Sequence, residues 1–146
     1  MHEKPKPVPT MSEELTLAKM ITVAPNQPIN LPPEFAQTLG KQNAILIISK
    51  TTSEARIIPT DSPEAIKITI TINKLSQKFL KDLGTVIVKN KVNFLYTTGL
   101  CRKGKLCYYE GYIDKTQIKT NLETLKNEIQ QLEGVTTVEI TTIKHT

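Results

Sequence analysis

Polar and apolar residues alternate strictly at the start of the second half of the chain. Four isoleucines stand two apart over residues 66–72, which predicts a strand with one buried face and one wet face. Apolar residues follow at helical spacing over 75–87, and two strands are predicted over 92–98 and 106–113. A second helix then precedes a last strand over 135–143. The order β-α-β-β-α-β predicts a ferredoxin-like α+β domain with both helices on one face of an antiparallel sheet.

The second of these helices has start and stop signals of its own. Thr120 and Glu123 have the spacing of a capping box, and Gly134 is suited to end the helix. Between them, apolar residues fall on one stripe at 122, 125, 129 and 132. This pattern predicts an amphipathic helix that packs on the sheet.

The first half of the chain has short apolar strands around a half-helix. Pro33 suits the first helical position and Gly40 the position after the helix. Strands this short bury too little surface alone, which predicts that the chain oligomerises. The third of them is an unbroken apolar run, which predicts a strand covered on both faces. The four predicted strands span residues 20–23, 29–31, 44–48 and 55–59.

Proline and polar residues mark the boundaries between these parts. Residues 1–18 contain several prolines and no apolar period, so we expect a flexible tail. Residues 60–64 combine Thr, Asp, Ser, Pro and Glu, which is typical of a domain boundary. The predicted domains are therefore residues 19–60 and 65–143.

The N-terminal module resembles the swapped-hairpin domains of the AbrB/SpoVT (MazE-like) type. The resemblance rests on Ile29-Asn30-Leu31-Pro32, on the half-helix that ends at Leu39-Gly40, and on the apolar strand that follows. It implies a dimeric β-barrel in which two chains exchange hairpins, and it implies binding to double-stranded DNA. The basic residues usual in the family's first turn and half-helix are replaced here by Asn, Gln, Pro, Glu and Ala. The residues that the resemblance suggests for DNA binding are Lys19, Asn26, Gln27, Gln37 and Lys41.

Asn26 and Gln27 also have a plainer interpretation, in which they only form the turn between the first two strands. Each basic residue missing from the family's pattern removes one phosphate contact. The resemblance therefore implies the fold more strongly than it implies DNA binding.

Residues 65–143 resemble an ACT or ACT-like domain. The resemblance consists of the β-α-β-β-α-β order and of Leu132-Glu133-Gly134-Val135 before the last strand. It implies sheets that pair side by side and an effector, such as an amino acid, bound near the loop after the first strand. That loop lacks the family's glycine, and a plainer interpretation makes Asn73 the N-cap of the following helix with Ser76 in its first turn. The residues suggested for effector binding are Asn73, Lys74 and Ser76 and, across a sheet interface, Tyr96 or Thr98.

Charge and composition narrow the functional classes. The chain has 146 residues and a net charge of +5, and residues 64–146 hold all of the excess with thirteen basic and eight acidic residues. Contact with nucleic acid by charge alone is therefore expected from the second half, although diffuse lysines more often solvate helix faces. No apolar run is long enough to span a bilayer and no signal-peptide pattern is present, so no membrane association and a cytoplasmic location are expected.

The only two cysteines, Cys101 and Cys107, flank a basic turn. A three-residue turn would place them opposite each other, whereas a two-residue turn at Lys103-Gly104 would pair Cys101 with Leu106. Two cysteines are too few for a metal site, and reduced, partly buried thiols are the expected state in a cytoplasmic protein.

No catalytic, phosphate-cradling or metal-ligating pattern is present, so an enzyme and a cofactor are not expected. The main hypothesis is a homodimeric or tetrameric DNA-binding transcription regulator whose ACT-like domain senses a small effector or sets the oligomeric state. The alternative is a regulatory or interaction subunit that uses the barrel only to dimerise. A third hypothesis is RNA binding through the second sheet, by stacking of bases on Tyr96 with Tyr108 or Tyr112.

Overall fold

The computed structural model describes residues 15–104 and 106–145. The chain divides into two compact units, one ending at Leu39 and the other beginning at Gly40. Most of the predicted tail lies outside the described residues, and residues 15–18 form neither helix nor strand. The predicted boundary at 60–64 falls inside the second unit.

The first unit contains the predicted half-helix. Helix α1 spans Pro33–Leu39, and its first turn is closed by a 2.9 Å hydrogen bond from the amide of Phe35 to the carbonyl of Pro32. Gly40 follows with a φ of 66°, a conformation that glycine adopts without strain. The proline start and glycine end of this helix are therefore confirmed.

The two strands predicted before this helix are absent from the described part of the first unit. Residues 20–23 and 29–31 carry no strand, and Asn26 turns the chain between them with a φ of 61°. A strand needs a neighbour for its amide and carbonyl groups, and residues 15–39 supply none for either segment. Met20 and Val23 are consequently exposed. The strands predicted at residues 20–23 and 29–31 are therefore not formed in the described chain, and the swapped-hairpin barrel that two chains would build stays a prediction.

The second unit contains the predicted ferredoxin-like sheet. Its strands are β3 (Ala65–Ile72), β4 (Tyr96–Cys101), β5 (Cys107–Asp114) and β6 (Val135–Ile143), in the spatial order β4-β5-β3-β6 with every pair antiparallel. Helices α2 (Gln77–Lys89) and α3 (Leu122–Gln130) complete the β-α-β-β-α-β order, and a short 3-10 helix spans Lys115–Gln117. The predicted α+β class and the ferredoxin-like topology are confirmed.

The main core lies between this sheet and the two helices. The alternating isoleucines of β3 are almost fully buried there, together with Ile113 of β5. Each helix contributes its apolar stripe, as the spacing predicts. The helix residues buried in this core are Phe79, Leu83, Val86, Leu125 and Ile129.

The helix caps differ from the predicted ones by one to three residues. Ser76, not Asn73, caps α2, because its side chain accepts a 3.1 Å hydrogen bond from the amide of Phe79. Asn121, not Thr120, caps α3 by accepting from the amide of Glu123 at 2.7 Å. Both residues are standard caps, and in each case the neighbouring polar residue made the sequence ambiguous.

A β-hairpin precedes the sheet in the second unit. Strands β1 (Asn43–Ser49) and β2 (Glu54–Thr60) pair antiparallel, with Ser49 opposite Glu54. Ile45 and Ile47 are buried, but Leu46 on the opposite face and Ile48 near the end of the strand are 56% and 64% exposed. The prediction that this strand is covered on both faces was therefore wrong for the described chain.

Within the described ranges, no helix has both the length and the apolar character required to cross a membrane.

Candidate functional site

The hairpin covers one end of the sheet face that the helices leave open. Ile45 and Ile47 of β1 form a second buried cluster with Ala65 of β3 and Tyr112 of β5. Side chains from β2, β4 and β6 complete this cluster at its edges. The β-sheet is thus covered by helices on one face and, in part, by its own preceding hairpin on the other.

A groove remains where the hairpin ends and the open sheet face continues. It has a volume of about 350 Å³, and we call it the hairpin groove. The end of β1 and its turn form one wall, and strands β3, β4 and β5 form the other. Its lining residues are Ile47, Ile48, Ser49, Lys50, Thr51, Lys67, Tyr96, Thr98, Leu100, Arg102, Tyr108, Glu110 and Tyr112.

Strand register explains why the sheet residues of this groove share one face. Lys67 lies opposite Tyr112, and Thr98 lies opposite Glu110, so β3, β4 and β5 present these side chains in the same phase. Leu100 lies opposite Tyr108 one step further along. Each residue alternates with one that faces the helices, such as Ile113.

Lys67 is the charged centre of the groove floor. Its ammonium lies 3.5 Å from the carboxylate of Glu110 and 5.5 Å from the centroid of the Tyr112 ring. Burial alone would lower the pKa of Lys67, but Glu110 and Tyr112 together raise this pKa above its ordinary value. Lys67 therefore stays positively charged across the physiological range.

Aromatic rings surround this charge pair. The rings of Tyr96 and Tyr112 lie 6.4 Å apart, and the guanidinium of Arg56 lies 5.2 Å from the centroid of Tyr96. The tilted contact between the two rings and the cation–π contact both help to hold the tyrosines in place. Tyr108 lies nearer the groove mouth and is partly exposed.

Arg102 and Lys50 lie at the rim of the groove, one on each wall. Arg102 immediately follows Cys101, which faces Cys107 across the β4–β5 ladder and forms a disulfide with it. The expectation of reduced thiols was therefore wrong. Cys101 lies opposite Cys107 in the register of β4 and β5, which is the pairing expected from the three-residue turn and not from the two-residue turn.

The predicted effector residues fall in two different places. Tyr96 and Thr98 line the hairpin groove. Asn73, Lys74 and Ser76 line a smaller cavity of about 200 Å³ at the start of α2. Within one chain the two groups are thus separate, and their meeting across an interface between paired sheets stays a prediction.

The polar groups around the smaller cavity are already engaged in hydrogen bonds and ion pairs within the chain. The amide of Asn73 donates to the carbonyl of Gly134 at 2.9 Å, and Ser76 caps α2. Lys78 bridges Asp82 at 2.8 Å and Glu133 at 3.3 Å, and these carboxylates raise the pKa of Lys78. These groups already satisfy one another, which leaves this cavity less suited to a ligand than the hairpin groove.

The residues suggested for DNA binding are all exposed, but both lysines are paired. In the first unit, the ammonium of Lys19 lies 3.7 Å from the carboxylate of Glu34. In the second unit, Lys41 pairs with Asp61. Asn26 and Gln27 form a turn closed by a 3.3 Å hydrogen bond from the Gln27 amide to Ala24, and Gln37 lies on α1. The turn-forming role of Asn26 and Gln27 is thus present.

The tyrosines proposed to stack RNA bases are unequally accessible. Tyr112 is buried beneath the hairpin, and Tyr96 is partly buried beside it. Only Tyr108 of the three is exposed. Because base stacking requires free ring faces, the hairpin removes two of the three proposed platforms.

Sequence reasoning missed the charged residues of the groove, namely Lys50, Lys67, Arg102 and Glu110. A signal for them was present, because Tyr108, Glu110 and Tyr112 alternate along one predicted strand. No pattern in the sequence indicated that the hairpin would form one wall of the groove. Among the described residues, no group of three or more His, Cys, Asp or Glu side chains is arranged to hold a metal ion.

Part of the chain is similar in fold to several solved structures. The crystal structure of the ACT domain from the GTP pyrophosphokinase of Chlorobium tepidum has 22% identity and a TM-score of 0.43, with 53% of this chain and 96% of that chain covered. The solution NMR structure of the same domain has 21% identity and a TM-score of 0.39, with 55% and 89% covered. The uncharacterized protein TM1266 from Thermotoga maritima has 13% identity and a TM-score of 0.40, with 55% and 95% covered.

Neither the protein-family models nor the curated proteins include a match to this chain. The ferredoxin-like topology of residues 65–143 therefore rests on the strand order and on the two helices that cover one face of the sheet.

Proposed function

We propose that the chain is a non-catalytic regulatory protein that binds a small effector in the hairpin groove. The observation that supports this proposal is the convergence of Lys67, Glu110, Arg102 and three tyrosines on one concave surface. Small-molecule sites are typically concave, largely apolar, and equipped with a few polar groups that orient the ligand. The groove's volume of about 350 Å³ lies at the small end of the usual range of roughly 300–1,000 Å³.

The two walls of the groove suggest how binding is transmitted. Ile47 and Lys50 belong to the hairpin, whereas Lys67 lies on β3 and Arg102 directly follows β4. A ligand that contacts both walls stabilises the docked arrangement of the hairpin over other arrangements. A difference in affinity between two arrangements is what an effector needs to shift their populations.

The outer face of the hairpin is where we expect effector binding to affect association with a second chain. Leu46 is exposed there, and Met20, Val23 and Ile29 are exposed in the first unit. We infer that a second copy of the chain covers these apolar residues and pairs with segments 20–23 and 29–31, which are predicted strands without a neighbouring strand in the described part of their unit. Effector binding at the hairpin then alters how the dimer is held together.

A panel of metabolites tested by thermal unfolding and by two-dimensional amide NMR checks the effector site. Thr98→Trp fills the groove, and Thr97→Trp is the matched control because residue 97 alternates to the other face of β4. We expect a ligand that stabilises wild type and Thr97→Trp but not Thr98→Trp. A ligand that stabilises all three equally binds elsewhere and contradicts the groove assignment, and so does a panel without any stabilising compound.

DNA binding by the N-terminal module is a second candidate function. The observation that favours it is that Asn26, Gln27 and Gln37 are all exposed and free to meet a nucleic acid surface. The pairing of Lys19 with Glu34 and of Lys41 with Asp61 works against it, because paired cations neutralise fewer phosphates. In this function the effector would control a homodimeric transcription regulator.

A gel-shift assay at low salt on random duplex DNA tests this second function. The double variant Lys19→Glu/Lys41→Glu should abolish binding. The variant Lys81→Glu/Lys119→Glu changes the net charge by the same amount at other exposed positions and should retain most of it. Absence of binding by the wild-type chain would remove the DNA-binding function and leave the effector proposal intact.

A further inference from the structure

The charges around the hairpin groove do not balance. Among the described residues, Lys50, Lys67 and Arg102 line the groove together with one carboxylate, Glu110. Glu110 is engaged by Lys67 at 3.5 Å. In the part of the chain that the structure describes, neither Lys50 nor Arg102 has a carboxylate oxygen within 4.0 Å. The rim of the groove therefore carries two positive charges whose complement is an anion.

The groove mouth also exposes apolar surface. Ile48 projects from the hairpin wall, and Leu100 and Tyr108 are directly opposite each other on the sheet wall. All three are large side chains that remain partly in water. A flat ring placed between the two walls would bury them, and a tyrosine face favours stacking with another ring.

We propose that the effector of the hairpin groove is a planar aromatic molecule that carries a phosphate or carboxylate group. Its ring lies between Ile48 and the Leu100–Tyr108 pair, and its anionic group lies between Lys50 and Arg102. This inference rests on the proposed function, because it assigns a ligand class to the same groove.

The chemistry of the rim argues against other ligand classes. The guanidinium of Arg102 presents two parallel N–H donors, which match the oxygen atoms of a carboxylate or phosphate. A cationic ligand would meet two positive charges at the rim, and its natural partner Glu110 is already paired. A neutral ring would leave both rim cations without a partner.

The test compares matched ligands by amide NMR titration of the full chain at low salt. Indole acetate and adenosine monophosphate are the aromatic anions, with indole acetamide and adenosine as their neutral analogues and ribose phosphate as the anion without a ring. We expect at least one of the two aromatic anions to shift the amide resonances of residues that line the groove. Neutral and ringless analogues should bind at least about tenfold more weakly, because each lacks one of the two contacts. A preference between the two anions identifies the carboxylate or the phosphate as the group recognised.

Single variants then assign the anion contacts. Lys50→Gln and Arg102→Gln should each lower the affinity for the aromatic anion by about five- to tenfold and leave the affinity for the neutral analogue unchanged. Lys103→Gln is the matched control, because this exposed lysine is next to Arg102 but does not line the groove. Equal losses in all three variants would indicate general attraction and overturn the assignment.

Two further outcomes separate this inference from the proposed function. If neutral compounds bind in the groove as tightly as the anions, or if only other classes of compound bind there, the ligand class is wrong and the effector site stands. If no compound of any class shifts groove resonances, both proposals fall.

Discussion

The backbone amide of Asp61 donates a 2.6 Å hydrogen bond to Oδ2 of Asp114. Asp61 immediately follows β2 of the hairpin, and Asp114 is the last residue of β5 in the sheet. The other carboxylate oxygen, Oδ1, accepts from the amide of Thr116 at 3.1 Å. One carboxylate that is only 3% exposed therefore ties the end of the hairpin to the sheet that it covers.

Asp114→Asn should lower the free energy of unfolding by about 1–3 kcal/mol, because the amide replaces one acceptor oxygen with a donor that faces a backbone N–H. Urea unfolding followed by circular dichroism measures the change. Glu54→Gln, at an exposed carboxylate on β2, is the control and should change stability by less than about 0.5 kcal/mol. Equal stability of Asp114→Asn and wild type would show that the carboxylate does not hold the hairpin.

The same carboxylate gives stability a specific pH dependence. Burial alone would raise the pKa of Asp114, but the amide donors of Asp61 and Thr116 outweigh it and the net pKa is lowered. Its stabilisation is therefore complete above the unfolded pKa of about 3.9 and is lost as the pH falls through the lower folded pKa. Between about pH 6 and about pH 3, wild type should lose more stability than Asp114→Asn. Parallel losses in the two proteins would contradict this.

Two glycines should respond in opposite directions to the same substitution. A Cβ added at Gly111, in β5, would overlap the ring of Phe94, which is packed against the core. Gly111→Ala should therefore cost about 1–3 kcal/mol of unfolding free energy. Gly84 lies inside α2 with open space around its would-be Cβ, so Gly84→Ala should stabilise by about 0.5–1 kcal/mol. Thermal unfolding measures both changes. If both variants melted at a higher temperature than wild type, the packing argument for Gly111 would be contradicted.

The fold of residues 65–143 was predictable because apolar residues recur with one period in its strands and with another in its helices. The isoleucines of β3 alternate with polar residues, and the helix stripes have a different period, so neither could be confused with the other. The strands predicted at 20–23 and 29–31 show the limit of this reasoning. Alternation identifies an amphipathic segment but does not identify what it pairs with.

The candidate site was less predictable because it depends on packing between distant segments. Tyr96 and Thr98 were identified as effector residues, but only as contributors across an interface between paired sheets, and within one chain Asn73 lies at another cavity. Lys67 and Glu110 become neighbours only through the β3–β5 register. The position of the hairpin over the sheet, which closes the groove with Lys50, follows from no local pattern.

Reduction of the Cys101–Cys107 disulfide should destabilise the chain. The bridge closes a short loop with a sequence separation of 6, for which chain entropy predicts about 2 kcal/mol. Urea unfolding with and without a thiol reductant measures this difference. The double variant Cys101→Ser/Cys107→Ser should start at the reduced value and should not respond to the reductant. A wild-type chain whose thiols are shown to be reduced but whose stability is unchanged would contradict the prediction.

Leu46 tests whether a second copy covers the outer face of the hairpin. It is 56% exposed and points away from the buried Ile45 and Ile47, so a charge there is harmless to a monomer but costly in an apolar interface. Leu46→Glu should weaken self-association by at least about tenfold in sedimentation equilibrium. Val88→Glu, at a 77% exposed apolar residue on α2, is the matched control and should leave association unchanged. A wild-type chain that sediments as a monomer at micromolar concentration would instead mean that these apolar residues face water, and the proposed transmission from the groove to a dimer would have no output.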